Sequence, residues 1–164
     1  MTQRIDTDRG NSQKIRSVGI VGAGALGILV GDALTRTLGR EQVLFIASKD
    51  RCRRYDSKTF TANGATCDFN FVSSPPDGPL DLIIFAVKIY HLEDTLDLVR
   101  PFAGENTILM SLMNGISSEE IIGDALGSHR VIYTVALDMD ATRIGTELTY
   151  TRPGIFRIGE ADGR

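Results

Sequence analysis

Val18-Gly19-Ile20-Val21-Gly22-Ala23-Gly24-Ala25-Leu26-Gly27 is the most informative stretch of this 164-residue chain. Residues 17–21 are rich in β-forming side chains, which predicts a short strand. The glycines that follow have the spacing Gly-x-Gly-x-x-Gly, and apolar residues then recur at helical intervals as far as Leu38. Gly39 is a typical residue for the end of a helix. The stretch therefore predicts a strand, a glycine-rich turn and an amphipathic helix in direct succession.

A turn of this kind between a strand and a helix is typical of sites that bind the pyrophosphate of a dinucleotide. Gly22 would permit the tight turn, Gly24 would let the backbone approach the pyrophosphate, and Gly27 would let helix and strand pack closely. The N–H groups and partial positive charge at the helix N-terminus would favour the phosphates. We predict that the cofactor lies against Gly22, Ala23, Gly24, Ala25, Leu26 and Gly27. The alternative is a plain strand–turn–helix in which the glycines serve only packing.

Further along the chain, short apolar runs alternate with helical patterns, which indicates βαβ units and a parallel sheet. Strands are predicted at residues 43–47, 82–87 and 107–113, and the second of these is almost continuously apolar, as in a central strand covered on both faces. Helices are predicted from Leu92 onward and over residues 118–126, the latter opened by a capping box of Ser117 and Glu120. The predicted fold class is α/β: a Rossmann-type, doubly wound, mostly parallel sheet with helices on both faces.

Two other regions are predicted to contain short strands. Residues 59–72 have the pattern of two strands around Asn63-Gly64, which is a hairpin turn signal. Residues 131–137, 147–151 and 154–158 are predicted to form a mixed or antiparallel edge of the sheet.

The end of the second predicted strand bears on the choice of dinucleotide. Sites that prefer NAD usually carry Asp or Glu there, to bind the ribose 2′-hydroxyl. Ala47-Ser48 occupies that position here, and several cations follow it. A hydroxyl and cations suit a 2′-phosphate, so we predict NADP(H) as the cofactor. The candidate contacts are Ser48, Lys49, Arg51 and Arg54, and the alternative is a solvated, basic start of a helix.

Polar residues follow two of the predicted central strands. Lys88 comes after the strand at 82–87, and Asn114 comes after the strand at 107–113. Ligands of open α/β sheets bind beyond the carboxyl ends of the strands, where the strand order reverses. Lys88 and Asn114 are therefore candidates to hydrogen-bond a ribose or a substrate carbonyl. The alternatives are a solvated helix start for Lys88 and a turn before Gly115 for Asn114.

Composition and charge argue against several other classes of protein. The chain has 42% hydrophobic and 24% charged residues, which is ordinary for a soluble globular protein. A net charge of −3 gives no footprint for nucleic acid or an anionic membrane, and no apolar run approaches the ~18 residues that span a bilayer. Two cysteines and two histidines form no metal-binding pattern, so we predict no metal site.

Residues 1–14 are polar and lack a signal-peptide core, so we expect a disordered leader at 1–14, a dinucleotide-binding domain at 15–164 and a cytoplasmic protein.

Five motifs in order resemble the ketopantoate reductase (2-dehydropantoate 2-reductase) family. They are Gly22-Ala23-Gly24-Ala25-Leu26-Gly27, Ala86-Val87-Lys88-Ile89-Tyr90, Met113-Asn114-Gly115, Ala141-Thr142-Arg143-Ile144-Gly145 and Gly154-Ile155-Phe156-Arg157-Ile158-Gly159-Glu160. The resemblance implies reduction of 2-ketopantoate, or another 2-oxo acid, with NADPH, and hence a role in pantothenate biosynthesis. It implies that the three glycines hold the pyrophosphate and that Lys88 and Asn114 lie near the nicotinamide ribose and the substrate. The family often has Arg where this chain has Ser48, and we assign no role to His91.

The family continues into a helical second domain, which supplies the catalytic Lys and most substrate contacts. We therefore expect no catalytic residue within this chain, and cofactor binding without efficient turnover unless another chain completes the site. Two alternatives stay open: a stand-alone nucleotide sensor, and a domain of another two-domain 2-oxo or 2-hydroxy acid dehydrogenase. Apolar surface that a second domain would cover also leads us to expect that this chain forms homo-oligomers.

Overall fold

The computed structural model describes residues 14–115 and 117–159, so most of the predicted leader and Glu160 lie outside the described residues. Within these residues the helices are α1 (Ala25–Leu38), α2 (Lys49–Asp56), α3 (Leu92–Val99) and α4 (Ser118–Leu126). The strands are β1 (Val18–Val21), β2 (Val43–Ile46), β3 (Phe60–Ala62), β4 (Ala65–Cys67), β5 (Asn70–Val72), β6 (Leu80–Phe85), β7 (Ala103–Ser111), β8 (Val131–Met139), β9 (Thr142–Ile144), β10 (Glu147–Thr149) and β11 (Pro153–Gly159). None of the described helices is long and apolar enough to cross a membrane.

Seven strands form the main sheet in the order β11-β8-β7-β6-β1-β2-β5. All neighbours from β5 to β8 pair in parallel, and β11 pairs with β8 in the antiparallel direction. The chain starts at β1 in the middle, moves outward through β2 and β5, and then returns to the other side of β1 with β6. The strand order therefore reverses between β1 and β6, where ligands of open α/β sheets bind. The predicted Rossmann-type fold is confirmed, and the predicted antiparallel edge is confirmed for residues 131–137 and 154–158, which lie in β8 and β11.

Alternate side chains of the central strands enter two separate cores, one on each face of the sheet. On β2, Val43 and Phe45 pack with Ile28 and Leu29 of α1 in one core. Leu44 and Ile46 of the same strand face the other core, which contains the apolar residues of α3 and α4. These parallel strands are apolar throughout because both faces are covered by helices.

Residues 59–72 contain three strands rather than the two predicted. The hairpin around Asn63-Gly64 forms as expected between β3 and β4. Residues of β5, however, pair with β2 and extend the main sheet. Phe69 and Phe71 explain this difference, because their rings pack 4.4 and 5.1 Å from the ring of Phe45 in the main core.

A second, four-stranded sheet also departs from the sequence prediction. Its order is β4-β3-β10-β9, so β10 pairs with β3 and β9 instead of lying at the edge of the main sheet. Leu148 of β10 is fully buried in the core that contains α1. Burial of this side chain against α1 draws the strand away from the sheet edge that was predicted for it.

The predicted capping box at the start of α4 is wrong. The helix begins at Ser118 as expected, but the side chain of Ser117 makes no capping hydrogen bond. Ser117 has φ −95° and ψ −15°, which are helical values, whereas an N-cap residue normally has extended backbone angles.

Asp81 fixes the start of β1 against β6. Its Oδ2 atom accepts hydrogen bonds from the backbone N–H of Arg16 at 2.7 Å and of Ser17 at 3.0 Å. These bonds, chiefly that from Arg16, lower the pKa of the Asp81 carboxyl. The two strands that flank the reversal of strand order are therefore joined at their amino ends as well as along the sheet.

The antiparallel edge pair carries exposed apolar side chains. Val135 of β8 is 56% exposed, and Ile155 and Ile158 of β11 are 52% and 64% exposed. Tyr133 and Leu137 of β8 are also exposed, at 43% and 38%. Ile155 pairs with Leu137 and so shares a face with the exposed residues of β8, whereas Ile158 pairs with Thr134 and lies on the opposite face. An exposed apolar face on neighbouring strands is typical of a surface that another molecule or domain covers.

Candidate functional site

The glycine-rich turn lies between β1 and α1 and rests on the chain just beyond β6. Gly22 has φ +106°, a region that favours glycine, and a Cβ atom there would lie 2.6 Å from the carbonyl oxygen of Ala86. A Cβ atom at Gly27 would lie only 1.9 Å from the carbonyl oxygen of Gly22. The turn and the start of the helix are therefore packed so closely that neither position has room for a side chain.

Gly24 differs from these two glycines. Its φ of −76° suits any residue, and a Cβ atom there would have only the oxygen of Ala86 within 4 Å, at 3.6 Å. The fold itself therefore permits a side chain at this position. What a side chain would fill is open space above the turn, which is where close approach of a pyrophosphate needs a glycine.

The N-terminus of α1 is suited to an anion. Gly24 is its N-cap and has no side chain to cap the helix, and the first turn carries no acidic residue. The first hydrogen bond of the helix runs from the N–H of Ile28 to the oxygen of Gly24 at 3.0 Å. The N–H groups of the first turn precede this bond and have no acceptor within the helix. Together with the helix dipole they form a cradle that fits a pyrophosphate.

Lys88 and Asn114 lie in loops at the same edge of the sheet as this cradle. β6 ends at Phe85 and β7 at Ser111, so both strands stop before the predicted ends and neither residue directly follows its strand. The first residue after each strand is nevertheless hydrogen-bonded to the adjacent strand of the sheet. The N–H of Ala86 donates to the oxygen of Val21, and the N–H of Leu112 donates to the oxygen of Phe85, both at 2.8 Å.

A short 3₁₀ turn, Ile89–His91, follows Lys88 and orients the polar side chains of this loop. The Nζ atom of Lys88 lies 5.8 Å from the ring centroid of Tyr90, within the range of a cation–π contact. The rings of Tyr90 and His91 are 4.5 Å apart. Lys88 is exposed and lies beside an exposed aromatic ring.

The four candidate contacts to a 2′-phosphate differ in position. Ser48 is the N-cap of α2, and its Oγ accepts a hydrogen bond from the N–H of Arg51 at 3.4 Å. Arg51 is half-buried and lines a small cavity that Gly22 and Ala23 also line. The structure therefore brings Arg51 next to the glycine turn, whereas Ser48, Lys49 and Arg54 are exposed and do not line this cavity.

A second cavity of about 210 Å³ extends from Arg51 toward the loop after β6. Its lining residues are Ser48, Arg51, His91, Asp94, Thr95 and Leu98. No role was predicted for His91, Asp94 or Thr95. All three residues follow the central strand β6 within one or two helical turns. That position could have identified them, because ligands of open α/β sheets bind beyond the carboxyl ends of the strands.

Neither cysteine supplies an activated nucleophile at this site. Cys52 of α2 is buried, and its Sγ donates to the oxygen of Ala47 at 3.6 Å. Burial raises the pKa of the Cys52 thiol. Burial also raises the pKa of Cys67 to about 12, with a further contribution from the carboxylate of Asp32. Both groups therefore remain thiols at neutral pH, whereas nucleophilic cysteines need the thiolate.

The reversal of strand order, the glycine turn and the open helix N-terminus define a Rossmann-type nucleotide-binding fold. The family described as ketopantoate reductase PanE/ApbA matches residues 18–163. The chain belongs to this family, which confirms the resemblance seen in the motifs.

Individual relatives agree with this assignment. The 2-dehydropantoate 2-reductase of Aquifex aeolicus is 32% identical over 120 residues, which cover 69% of this chain and 36% of that protein. The crystal structure of 2-dehydropantoate 2-reductase from Geobacter metallireducens has a TM-score of 0.71 and 28% identity, and covers 88% of this chain and 49% of that chain. A D-mandelate dehydrogenase solved with NADH and anilino(oxo)acetate has the same fold, with a TM-score of 0.75, 23% identity, and coverage of 88% and 48%. The chain thus spans from about a third to half of the length of these proteins.

Proposed function

We propose that this chain is the NADPH-binding domain of a 2-dehydropantoate 2-reductase-like oxidoreductase, and that a small 2-oxo acid is the substrate of the whole protein. The observation that carries the proposal is the glycine cradle, in which Gly24 faces open space while Gly22 and Gly27 are closely packed. When bound there, NADPH supplies the hydride that reduces a carbonyl group. Family membership supports the 2-oxo acid as the substrate class.

Each part of the proposed site has a distinct task. The residues from Gly22 to Gly27, including Ala23, Ala25 and Leu26, bind the pyrophosphate through backbone N–H groups. Lys88 and Asn114 hydrogen-bond the nicotinamide ribose or the substrate from the loops after β6 and β7. The arrangement orients the cofactor across the point where the strand order reverses.

Arg51 is the proposed determinant of NADPH over NADH. It is the cation of α2 that lines both the cavity at the glycine turn and the cavity that extends toward the loop after β6. Ser48 lines one of these cavities and contributes a hydroxyl. A guanidinium and a hydroxyl can both donate hydrogen bonds to a 2′-phosphate. Arg53 is not proposed to contribute, because its Nη1 lies 3.7 Å from the carboxylate of Asp50. Lys49 and Arg54 contribute at most to the general positive potential of the surface.

The test is a calorimetric titration of NADPH and NADH into the wild-type chain and the variants Arg51→Ala and Arg54→Ala. Both variants remove one positive charge from α2, but only Arg51 borders the cavities. Loss of a charge-assisted hydrogen bond of about 1.5–3 kcal/mol predicts a Kd for NADPH that rises about 10- to 100-fold in Arg51→Ala. The Kd for NADH should not change, and Arg54→Ala should resemble the wild type with both ligands.

Two results would contradict the proposal. Equal effects of Arg51→Ala and Arg54→Ala would mean that net charge, not a specific contact, favours NADPH. Equal affinity of the wild type for NADPH and NADH would remove the proposed preference for the 2′-phosphate.

A further inference from the structure

A buried row of polar side chains connects the end of β7 to the start of α4. The Oγ atoms of Ser111 and Ser118 lie 2.9 Å apart, and the Oγ of Ser118 lies 2.7 Å from Oε2 of Glu119. The three side chains are almost inaccessible to solvent, with exposed fractions of 0%, 1% and 6%. Buried polar groups are costly unless they are hydrogen-bonded, so this arrangement is specific rather than incidental.

The direction of each hydrogen bond follows from the number of available protons. The carboxylate of Glu119 can only accept, so Ser118 donates its single hydroxyl proton to Oε2. The proton between the two serines must then come from Ser111. The Oγ of Ser111 in turn accepts the backbone N–H of Met113 at 3.2 Å. All donors therefore point one way, from the backbone of Met113 to the carboxylate of Glu119.

This hydrogen-bonded chain holds the loop that carries Asn114. Ser111 is the last residue of β7, Met113 immediately precedes Asn114, and Ser118 is the first residue of α4. On the other side of Asn114, Gly115 has φ +114°, and a Cβ atom there would have no atom within 4 Å. Asn114 itself is exposed. Its position therefore depends on the anchor at Met113.

We propose that Ser111, Ser118 and Glu119 are positioning residues that hold Asn114 toward the nicotinamide half of the bound cofactor. The inference rests on the proposed function, since it takes NADPH as the ligand. It goes further by assigning a role to three buried residues that make no contact with the glycine cradle or the Arg51 cavities. Substitution of these residues should weaken binding of the nicotinamide half of the cofactor only. A general loss of stability would instead weaken binding of both halves.

The test compares NADPH with 2′,5′-ADP, which keeps the 2′-phosphate end but lacks the nicotinamide ribose. Ser118→Ala should raise the Kd for NADPH about fivefold, as expected for one hydrogen bond, and leave the Kd for 2′,5′-ADP unchanged. Ser117→Ala is the matched control, because Ser117 is the exposed neighbour whose side chain makes no capping hydrogen bond. It should bind both ligands like the wild type. Asn114→Ala should reproduce the selective loss.

Variants of Glu119 provide a second, independent test. Glu119→Gln keeps an oxygen that accepts the proton of Ser118, so it should bind NADPH like the wild type. Glu119→Ala removes the acceptor and should behave like Ser118→Ala. The inference is wrong if Ser118→Ala weakens both ligands equally, or if Glu119→Ala leaves the ratio of the two Kd values unchanged. Failure of the wild type to bind either ligand would instead contradict the proposed function.

Discussion

Alanine substitutions at Gly24 and Gly27 should separate ligand binding from folding. At Gly27 the new Cβ would lie 1.9 Å from the carbonyl oxygen of Gly22, whereas carbon and carbonyl oxygen normally approach to about 3.3 Å. The atoms involved belong to the backbone, so α1 must move away from β1 by more than about 1 Å. Overpacking of this kind costs typically 1–3 kcal/mol, and we expect Gly27→Ala to lie at the upper end, near 3 kcal/mol.

Gly24→Ala meets no such obstacle. Its φ is −76° and the closest atom would be 3.6 Å away, so the free energy of unfolding should change by less than about 1 kcal/mol. The methyl group would instead occupy the open space in which we propose that the pyrophosphate binds. We therefore expect the affinity for NADPH to fall at least about tenfold, a loss of about 1.4 kcal/mol.

The assay combines denaturant unfolding followed by circular dichroism with calorimetric titration of NADPH. Gly24→Ala should be stable but deficient in binding, and Gly27→Ala should be deficient in both. Unaltered NADPH affinity in Gly24→Ala would refute the placement of the pyrophosphate. A large loss of stability in the same variant would refute the interpretation of Gly24 as a position that the fold itself leaves open.

Three other predictions concern the rest of the chain. The hydrogen bonds from the Thr151 side chain and from the N–H of Arg152 lower the pKa of Asp140 from 3.8 to about 2. The ionised carboxylate therefore stabilises the fold fully above pH 3.8, and this contribution is lost as the pH falls toward 2. The unfolding temperature of Asp140→Asn should therefore decrease less than that of the wild type on acidification through this range, and equal decreases would contradict the role of Asp140. Because the pKa of Cys67 is about 12, iodoacetamide at neutral pH should label this buried thiol only after unfolding; rapid labelling of the native protein would show that it is accessible as the thiolate. The exposed apolar residues of β8 and β11 should cause self-association, so sedimentation should show dimers or larger species that Val135→Asp weakens and Ile144→Asp, on the second sheet, does not; a wild-type monomer at high concentration would contradict this.

Local sequence signals predicted the centre of this fold well. The glycine turn and α1 are encoded within one continuous stretch, and the apolar run of β6 marks a strand buried on both faces. The position of Lys88 and Asn114 at one edge followed from the common direction of parallel strands. Each of these features depends on contacts between neighbours in sequence or on a general rule of sheet topology.

The second sheet could not be predicted in this way. β3 pairs with β10, whose residues lie far away along the chain, and the pairing depends on burial of Leu148 against α1. Similarly, β5 joins the main sheet because Phe69 and Phe71 pack on Phe45. Short strands carry too little local signal to specify such distant partners.

The sequence indicated a group of cations near the candidate site, but it could not show which of them lies beside the glycine turn. This depends on the phase of α2, which begins after the N-cap Ser48. That phase turns Cys52 inward and leaves Arg51 half-buried beside it, while Arg54 faces solvent. A capping signal at Ser48 could have set this phase. The buried connection from Ser111 to Glu119 had no such signal, because its partners meet only when β7 and α4 pack together.

The most direct test of the central claim is a titration of the unmodified chain with NADPH beside a parallel titration with NADH. We predict saturable binding of one NADPH per chain, with clearly weaker binding of NADH because Arg51 and Ser48 would have no 2′-phosphate to bind. Absence of binding by either nucleotide would contradict the claim, and would mean that the glycine turn serves only to pack α1 against β1.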